Sequence, residues 1–219
     1  MTQKILVVLP HPDDEAFGVA GTLIQYIKKG AHVTYACLTL GEMGRNLGSP
    51  FFTNREELPS IRKAELRDAA DAIGIQDLRK LGYRDKTVEF EDIETLSADF
   101  TKIIKEVKPE LVITFYPGYA VHPDHDATGA GVIHAVQALP KEERPVVHCV
   151  AFSKNAIADL GNPHIVHDVS DVLDQKIKSI QAHRSQSEGM LKLFTNGVEG
   201  AREAAIKRFG TETFWIYKF

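Results

Sequence analysis

The sequence predicts an α/β fold in which one domain packs helices on both faces of a mostly parallel β-sheet. Two observations support this prediction. Short apolar runs such as residues 5–9 and 111–115 are rich in leucine and β-branched residues, which is typical of strands buried on both faces. These runs alternate with segments whose apolar residues recur at helical spacing. Strand–helix alternation of this kind builds right-handed βαβ units, and consecutive strands in such units run parallel.

The predicted elements follow one another along the chain. The apolar runs predict four strands, which cover residues 5–9, 32–38, 111–115 and 146–152. Helical stripes lie between or after them, at residues 17–27, 66–73, 93–107 and 173–180. Gly30, Gly74 and Pro109 are stop signals for the first three helices, and Ser170 is the expected N-cap of the fourth. Residues 213–219 alternate like a terminal strand. The expected architecture is a Rossmann-like three-layer sandwich, with a single domain over residues 1–219.

The composition is that of a soluble globular protein. Hydrophobic residues make up 43% and charged residues 26% of the 219 positions, which excludes a disordered chain. Lys and Arg total 26 against 30 Asp and Glu, so the net charge is -4 and no nucleic-acid partner is expected. The apolar runs fall short of the ~20 residues of a membrane span, and the first run is too short for a signal peptide. We therefore expect a cytoplasmic protein without a membrane partner, with Cys37 and Cys149 reduced and buried.

Two clusters of histidine and carboxylate residues follow predicted strands. His-Pro-Asp-Asp-Glu at residues 11–15 comes directly after the first strand. His-Pro-Asp-His-Asp at residues 122–126 follows the strand at 111–115 after a short loop. In open α/β sheets, ligands bind beyond the carboxyl ends of the strands, so the two clusters are expected to converge. The acidic residues alone would also suit the first turn of a helix, but capping a helix requires no histidine.

The clusters contain the residue types of a catalytic metal site. Two imidazoles and one carboxylate with an open coordination position are typical of catalytic zinc, whereas structural zinc sites are closed. Asp13 and Asp14 are neighbours in the chain, so their side chains cannot easily point the same way. One of them can bind the metal while the other stands beside the metal-bound water as a base. The spacing alone does not decide which carboxylate has which role.

These motifs resemble those of a known family. His-Pro-Asp-Asp-Glu after one strand and His-Pro-Asp-His after a later one are similar to motifs of the LmbE-like (PIG-L) zinc-dependent N-acetylglucosaminyl deacetylases. The resemblance extends to Gly41-Glu42, to the Arg62-x-x-Glu65 helix and to Ala-His-Arg-Ser-Gln at residues 182–186. Three segments more specifically resemble the bacillithiol-biosynthesis branch, whose enzymes deacetylate N-acetylglucosaminyl malate; they are residues 41–46, 81–87 and 114–118. The resemblance implies a hydrolase that acts on a small N-acetyl sugar, with another N-acetylated sugar or small amide as the alternative substrate.

The resemblance also implies roles for individual residues. His11, Asp14 and His125 match the family's zinc ligands, so Zn2+ is the expected cofactor and Fe2+ the alternative metal in the cell. Asp13 matches the general base, and His122 matches the histidine that stabilises the oxyanion. The metal would lower the pKa of its bound water towards ~7, and Asp13 would take the proton of that water. We expect Asp13 to act in its ionised form and His122 to act as an imidazolium.

Three further residues are candidates for substrate binding. Arg62 ranks first because the family motif covers it, and Arg45 lies in the segment 41–60, whose length favours a functional loop. An arginine can bind malate carboxylates through a bidentate fork. Tyr119, shortly before the second cluster, is a candidate to gate the site or to donate to the oxyanion, with packing as the equal alternative. We expect a structural hydrogen-bonding role for His183, and we expect the protein to be a homo-oligomer.

Other function classes fit parts of the pattern. A non-haem iron oxygenase also uses two histidines and one carboxylate, but such ligands usually lie on a β-barrel. A nucleotide-binding module would use this fold, but Gly18-x-x-Gly21 is not the Gly-x-Gly-x-x-Gly motif that binds phosphate. The two aspartates also occupy the place where the phosphate would dock. A metal-binding protein without catalysis would leave Asp13 and His122 without a role. Metal-dependent release of acetate distinguishes these classes.

Overall fold

A seven-stranded β-sheet forms the centre of the fold. The computed structural model describes residues 2–194 and 200–219 of the chain. The strands are β1 (Lys4–Leu9), β2 (His32–Cys37), β3 (Asp77–Lys80), β4 (Leu111–Phe115), β5 (Val146–Val150), β6 (Ile165–Asp168) and β7 (Thr211–Ile216). They lie in the order β3-β2-β1-β4-β5-β7-β6, in which the first five are parallel and β7 is antiparallel to both neighbours. The fold class predicted from the sequence is confirmed.

Helices cover both faces of the sheet. They are α1 (Asp14–Gly18), α2 (Ala20–Lys28), α3 (Leu58–Ile73), α4 (Ile93–Val107), α5 (Pro123–Gln137), α6 (Ala156–Leu160), α7 (Leu173–Ala182), α8 (Arg184–Leu191) and α9 (Ala201–Phe209). Because side chains alternate along a strand, β1 contributes to two separate cores. Ile5 and Val7 pack with α2 and α3, whereas Leu6 and Val8 pack with α4 and α5. Both faces of the central strands are therefore covered by apolar side chains, so polar residues that bind a ligand are expected at the ends of the strands.

The observed elements differ from the predicted ones at several places. The apolar stripe at residues 17–27 is divided between α1 and α2, because the helix breaks at Val19, which has a φ of -141°. The prediction that Ser170 caps α7 is wrong, since this residue begins a 3-10 turn that precedes the helix. β5 ends at Val150 rather than at residue 152, and β7 spans Thr211–Ile216 rather than residues 213–219. β3 and β6 were not predicted, because their residues are only partly buried and form no continuous apolar run.

The strand order reverses between β1 and β4, at the middle of the sheet. The chain leaves β1 towards β2 on one side, whereas β4 pairs with the other side of β1. A crevice opens at the carboxyl ends of two strands that diverge in this way, and it is the usual ligand site of such sheets. Both cysteines are buried free thiols, as expected. Within residues 2–194 and 200–219, no helix has both the length and the apolar character needed to cross a membrane.

Candidate active site

The two histidine–carboxylate clusters meet at the carboxyl ends of β1 and β4. His11 follows β1, and His125 lies in the first turn of α5. The His11 Nδ1 and His125 Nε2 atoms are 3.0 Å apart. Asp14 Oδ1 lies 3.2 Å from His125 Nε2, and Asp14 Oδ2 lies 3.6 Å from His11 Nδ1. Two ring nitrogens and one carboxylate therefore face a common point, as the placement of the clusters in the sequence predicts.

The outer nitrogens of both rings face hydrogen-bond acceptors. His11 Nε2 lies 3.2 Å from Asp85 Oδ1 and 3.2 Å from Asp124 Oδ2, and both carboxylates are buried. His125 Nδ1 lies 3.2 Å from the carbonyl oxygen of Ala120. These acceptors place a ring proton on the outer nitrogen, so the inner nitrogen of each neutral ring carries the lone pair. The lone pairs of the two rings thus converge.

The surroundings of His11 favour a positive charge. Burial alone would lower the pKa of His11, but its hydrogen bonds to Asp124 and Asp85 outweigh burial and raise the pKa to about 10. Asp14 shows the reverse balance. Burial raises its pKa, but His125 and His11 outweigh burial and lower the pKa to about 2. The cluster therefore combines an ionised carboxylate with an electrostatic potential that attracts cations.

Asp13 and Asp14 diverge although they are chain neighbours. Asp13 has a φ of 107°, and its carboxylate turns to Arg62, whose Nη2 donates to Asp13 Oδ2 over 2.8 Å. Arg62 lies in α3, is 3% exposed, and also donates to the carbonyl oxygens of Gly41 and Pro12. Burial raises the pKa of Asp13 to about 6, and the Arg62 guanidinium acts against that rise. Asp13 is therefore held apart from the histidine pair.

Gly41 allows Arg62 to reach Asp13. The φ of Gly41 is 63°, in the left-handed region that favours glycine. A Cβ atom at this position would lie 1.8 Å from Arg62 Nη1 and 2.3 Å from Arg62 Cζ. The guanidinium thus fills the space that a side chain of residue 41 would need. Because Arg62 is committed to Asp13 and to backbone carbonyls, it is not a free clamp for a substrate carboxylate.

A buried network of hydrogen bonds holds the backbone of Asp13. Glu15 Oε2 accepts hydrogen bonds from the Asp13 N–H group and from the Tyr35 hydroxyl, each over 3.1 Å. Glu15 Oε1 lies 2.6 Å from His183 Nε2. The Glu15, Tyr35 and His183 side chains are all fully buried, so His183 has no access to substrate. The hydrogen-bonding role expected for His183 fits this position, and Glu15 fixes the backbone at the strained residue Asp13.

The helix that follows this motif is anchored by β7. Glu212 Oε1 accepts a hydrogen bond from the Gly21 N–H group and Glu212 Oε2 accepts one from the Thr22 N–H group, each over 2.8 Å. Lys176 Nζ of α7 lies 2.6 Å from Glu212 Oε1, and both side chains are buried. The Glu212 carboxylate therefore accepts hydrogen bonds from free N–H groups in the first turn of α2, and Lys176 neutralises its charge.

His122 caps the helix that carries His125. The Asp124 N–H group donates to His122 Nδ1 over 3.1 Å, and the His122 ring centroid lies 4.9 Å from that of His11. An Nδ1 atom that accepts this bond carries no proton, so the ring proton lies on Nε2. Burial lowers the pKa of His122, and the neighbouring His11 and His125 add to the effect. This arrangement favours a neutral donor, in contrast to the imidazolium expected from the sequence.

These residues line a cavity of about 300 Å³. His11, Asp13, Asp14, Arg62, His122 and His125 lie on its wall, together with Asp85 and with Met43, Gly44, Arg45 and Lys86 from two loops. The predicted segment 41–60 thus reaches the site, although α3 already begins at Leu58. Tyr119 does not line the cavity and instead packs on Tyr116, with ring centroids 5.5 Å apart.

The sequence pattern did not identify Asp85, Asp124 and Lys86, which the structure places beside His11 or on the cavity wall. Asp124 belongs to the second cluster, but its acidic character suits a helix N-terminus as well as a contact with His11. Asp85 and Lys86 follow β3, which the sequence pattern did not predict. Recognition of that strand would have placed both residues at the same edge of the sheet as the two clusters.

Comparisons with known proteins agree with the resemblance of the motifs. A family model described as PIG-L: GlcNAc-PI de-N-acetylase matches residues 6–136. Over 219 residues, the chain is 50% identical to the probable N-acetyl-alpha-D-glucosaminyl L-malate deacetylase 2 of Bacillus cereus, with 100% of both chains covered. It is 49% identical to the Bacillus subtilis protein of the same name, covering 100% of this chain and 99% of that protein. The structure of N,N'-diacetylchitobiose deacetylase from Pyrococcus horikoshii superposes with a TM-score of 0.73 at 27% identity, covering 98% of this chain and 84% of that one. The chain therefore belongs to the PIG-L family of deacetylases.

Proposed function

We propose that the protein is a metal-dependent deacetylase that hydrolyses the acetamide of N-acetylglucosaminyl malate. The convergence of His11 Nδ1, His125 Nε2 and the Asp14 carboxylate beside Asp13 is the observation that carries the proposal. The names of relatives that are 50% and 49% identical over the full chain support the choice of substrate. The chemistry is assigned to a single deacetylase domain over residues 1–219.

The donor set fits a divalent metal ion. At a tetrahedral zinc with bonds of about 2.1 Å, neighbouring ligand atoms lie roughly 3.4 Å apart. His11 Nδ1 and His125 Nε2 lie 3.0 Å apart, Asp14 Oδ1 lies 3.2 Å from His125 Nε2, and Asp14 Oδ2 lies 3.6 Å from His11 Nδ1. Three protein ligands of this kind leave a coordination position open, as in catalytic zinc sites, and the same donors also suit Fe2+. When bound, such an ion lowers the pKa of a water ligand and polarises a carbonyl oxygen.

Asp13 is assigned as the general base. Arg62 occupies Asp13 Oδ2, and Asp13 Oδ1 has no hydrogen bond to a residue of the described chain. Oδ1 is thus the atom that takes the proton of the attacking water. The water oxygen bonds to the acetyl carbon, and the carbon–nitrogen bond then breaks. Asp13 returns the proton to the leaving nitrogen, so the products are acetate and a free amine on the sugar.

His122 is assigned to the developing oxyanion. Its Nδ1 atom accepts the Asp124 N–H bond, so its Nε2–H group is the one that can donate to the carbonyl oxygen as negative charge develops there. A fixed donor of this type contributes about 10²–10³ to the rate. A neutral donor serves this purpose as long as its position is fixed before the reaction, which the N-cap hydrogen bond ensures.

The test is acetate release with and without metal. The purified protein is stripped with a chelator, reloaded with Zn2+ or Fe2+, and assayed on N-acetylglucosaminyl malate and on N-acetylglucosamine. We expect metal-dependent acetate release with a higher kcat/KM for the malate conjugate. The proposal is wrong if the loaded protein releases no acetate from either compound. Activity that requires oxygen and an organic cosubstrate would instead support the oxygenase alternative. The homo-oligomeric state and the cellular compartment stay predictions.

A further inference from the structure

We propose that Arg45 and Lys86 form a cationic subsite that binds the two carboxylates of the substrate's malate group. This inference rests on the proposed function and deepens it, because it assigns the recognition of the aglycone to residues outside the hydrolytic centre. Arg45 lies on the loop between β2 and α3, and Lys86 lies on the loop between β3 and α4. Both line the cavity that contains the histidine pair, and both are exposed to solvent.

The backbone at Lys86 is fixed. Its N–H group donates to Asp124 Oδ2 over 2.7 Å, and its φ of 62° turns the chain sharply at this point. The preceding residue, Asp85, accepts a hydrogen bond from the Met43 N–H group over 2.8 Å. That bond ties the loop of Lys86 to the loop of Arg45. The two cations therefore extend from a common, hydrogen-bonded support.

The backbone around Arg45 is held on both sides. Arg55 Nη1 donates to the carbonyl oxygen of Gly44 over 2.6 Å. Gln186 Nε2 of α8 donates to the carbonyl oxygen of Asn46 over 2.9 Å. Arg55 thus holds the loop at Gly44. These bonds define the backbone position of Arg45, whose exposed side chain lines the cavity.

Arg45 and Lys86 remain unpaired when the charged groups of the cavity are matched with one another. Asp13 pairs with Arg62, and the His11 and His125 rings face the remaining carboxylates of the wall. Among the residues that the structure describes, neither Arg45 nor Lys86 has a side-chain hydrogen bond or ion pair. A neutral sugar gives no reason for two unpaired cations beside the catalytic residues, whereas malate carries two carboxylates. The arginine offers a bidentate fork and the lysine a mobile point charge, so each can bind one carboxylate.

The experiment compares an anionic with a neutral substrate. Arg45→Met and Lys86→Met keep the aliphatic stem and remove the charge, and Arg84→Met makes the same charge change on an exposed neighbour that does not line the cavity. Values of kcat and KM are measured on N-acetylglucosaminyl malate and on the methyl glycoside of N-acetylglucosamine, with metal content determined in parallel. Each cavity variant should reduce the preference for the malate conjugate about tenfold, through KM, and the double variant about a hundredfold. Arg84→Met should leave the preference unchanged.

The outcomes separate the subsite from the function on which it rests. If the wild-type protein shows no preference for the malate conjugate, both the proposed substrate and the subsite are wrong. If it shows the preference and both cavity variants keep it, the subsite alone is wrong. A cavity variant that loses kcat equally on both substrates would assign its residue to the hydrolytic step instead. The preference of the wild type should also decrease with ionic strength, and that of the double variant should not.

Discussion

Replacing Gly41 with alanine should disconnect Arg62 from Asp13. The new Cβ atom would lie 1.8 Å from Arg62 Nη1, so the guanidinium must move and lose its bonds to Asp13 Oδ2 and to the residue 41 carbonyl, each 2.8 Å long. The left-handed backbone conformation costs an alanine about 1 kcal/mol. Separation of a buried ion pair costs about 3 kcal/mol or more. We expect the free energy of unfolding to decrease by about 4 kcal/mol and kcat to decrease strongly, because the general base loses its support.

Gly30 provides the matched control. It also has a positive φ, of 91°, but a Cβ atom there would meet no other atom within 4 Å. Gly30→Ala should therefore cost only the backbone term of about 1 kcal/mol and leave kcat intact. Urea unfolding followed by circular dichroism, together with acetate release, compares the two variants. Equal stability losses with unchanged kcat in Gly41→Ala would refute the reasoning, because Arg62 would then have moved aside at no cost.

Three other predictions follow from the site and its surroundings. Asp13→Asn should keep its metal and lose turnover, whereas Asp14→Asn should lose metal. Elemental analysis and acetate release, measured on both variants, check this. Full turnover in Asp13→Asn would show that Asp13 is not the base. Asp124→Asn should weaken metal binding about 10–100-fold in a chelator competition, because it removes a carboxylate from His11 Nε2, and an unchanged affinity would contradict that role. Burial, aided by the charge of His167, lowers the pKa of His148 to about 4, so the unfolded chain takes up a proton between pH 6.5 and 4 that the folded chain does not. This contribution to stability should be fully present above pH 6.5 and decline towards pH 4. The full pKa shift corresponds to about 3 kcal/mol, which solvent screening reduces to about 2 kcal/mol. The decline should be absent from His148→Phe in urea unfolding at several pH values.

The central strands could be predicted from the sequence because burial on both faces leaves a continuous apolar run. β1 and β4 are of this kind, and the motifs that follow them could therefore be placed at one edge of the sheet. β3 and β6 are partly exposed, so their residues carry no such signal. The break between α1 and α2 at Val19 could not be predicted either, because the apolar stripe in the sequence continues across it.

The convergence of His11, Asp14 and His125 could be predicted from their placement after strands. The residues that hold the site in place could not be predicted in this way. Arg62 was expected to bind malate, and it instead faces Asp13 because Gly41 leaves space for its guanidinium. Contacts of this type join residues that are distant in the chain, and a single sequence does not show them. The charge of His122 was likewise predicted from chemistry alone, without the backbone N–H group that occupies Nδ1.

The anchors of the first motif have a consequence for synthesis of the chain. Asp13 and the start of α2 leave the ribosome early, but their partners come much later: His183 lies 168 positions after Glu15, and Glu212 lies 191 positions after Gly21. Domains emerge from their N-terminal side at about 5–20 residues per second. Until those residues are made, Glu15 lacks its contact with His183 and the first turn of α2 lacks the Glu212 carboxylate. A chain whose synthesis stops before residue 183 contains the strands β1 to β6 but has neither the His183 contact of Glu15 nor the Glu212 contact of α2.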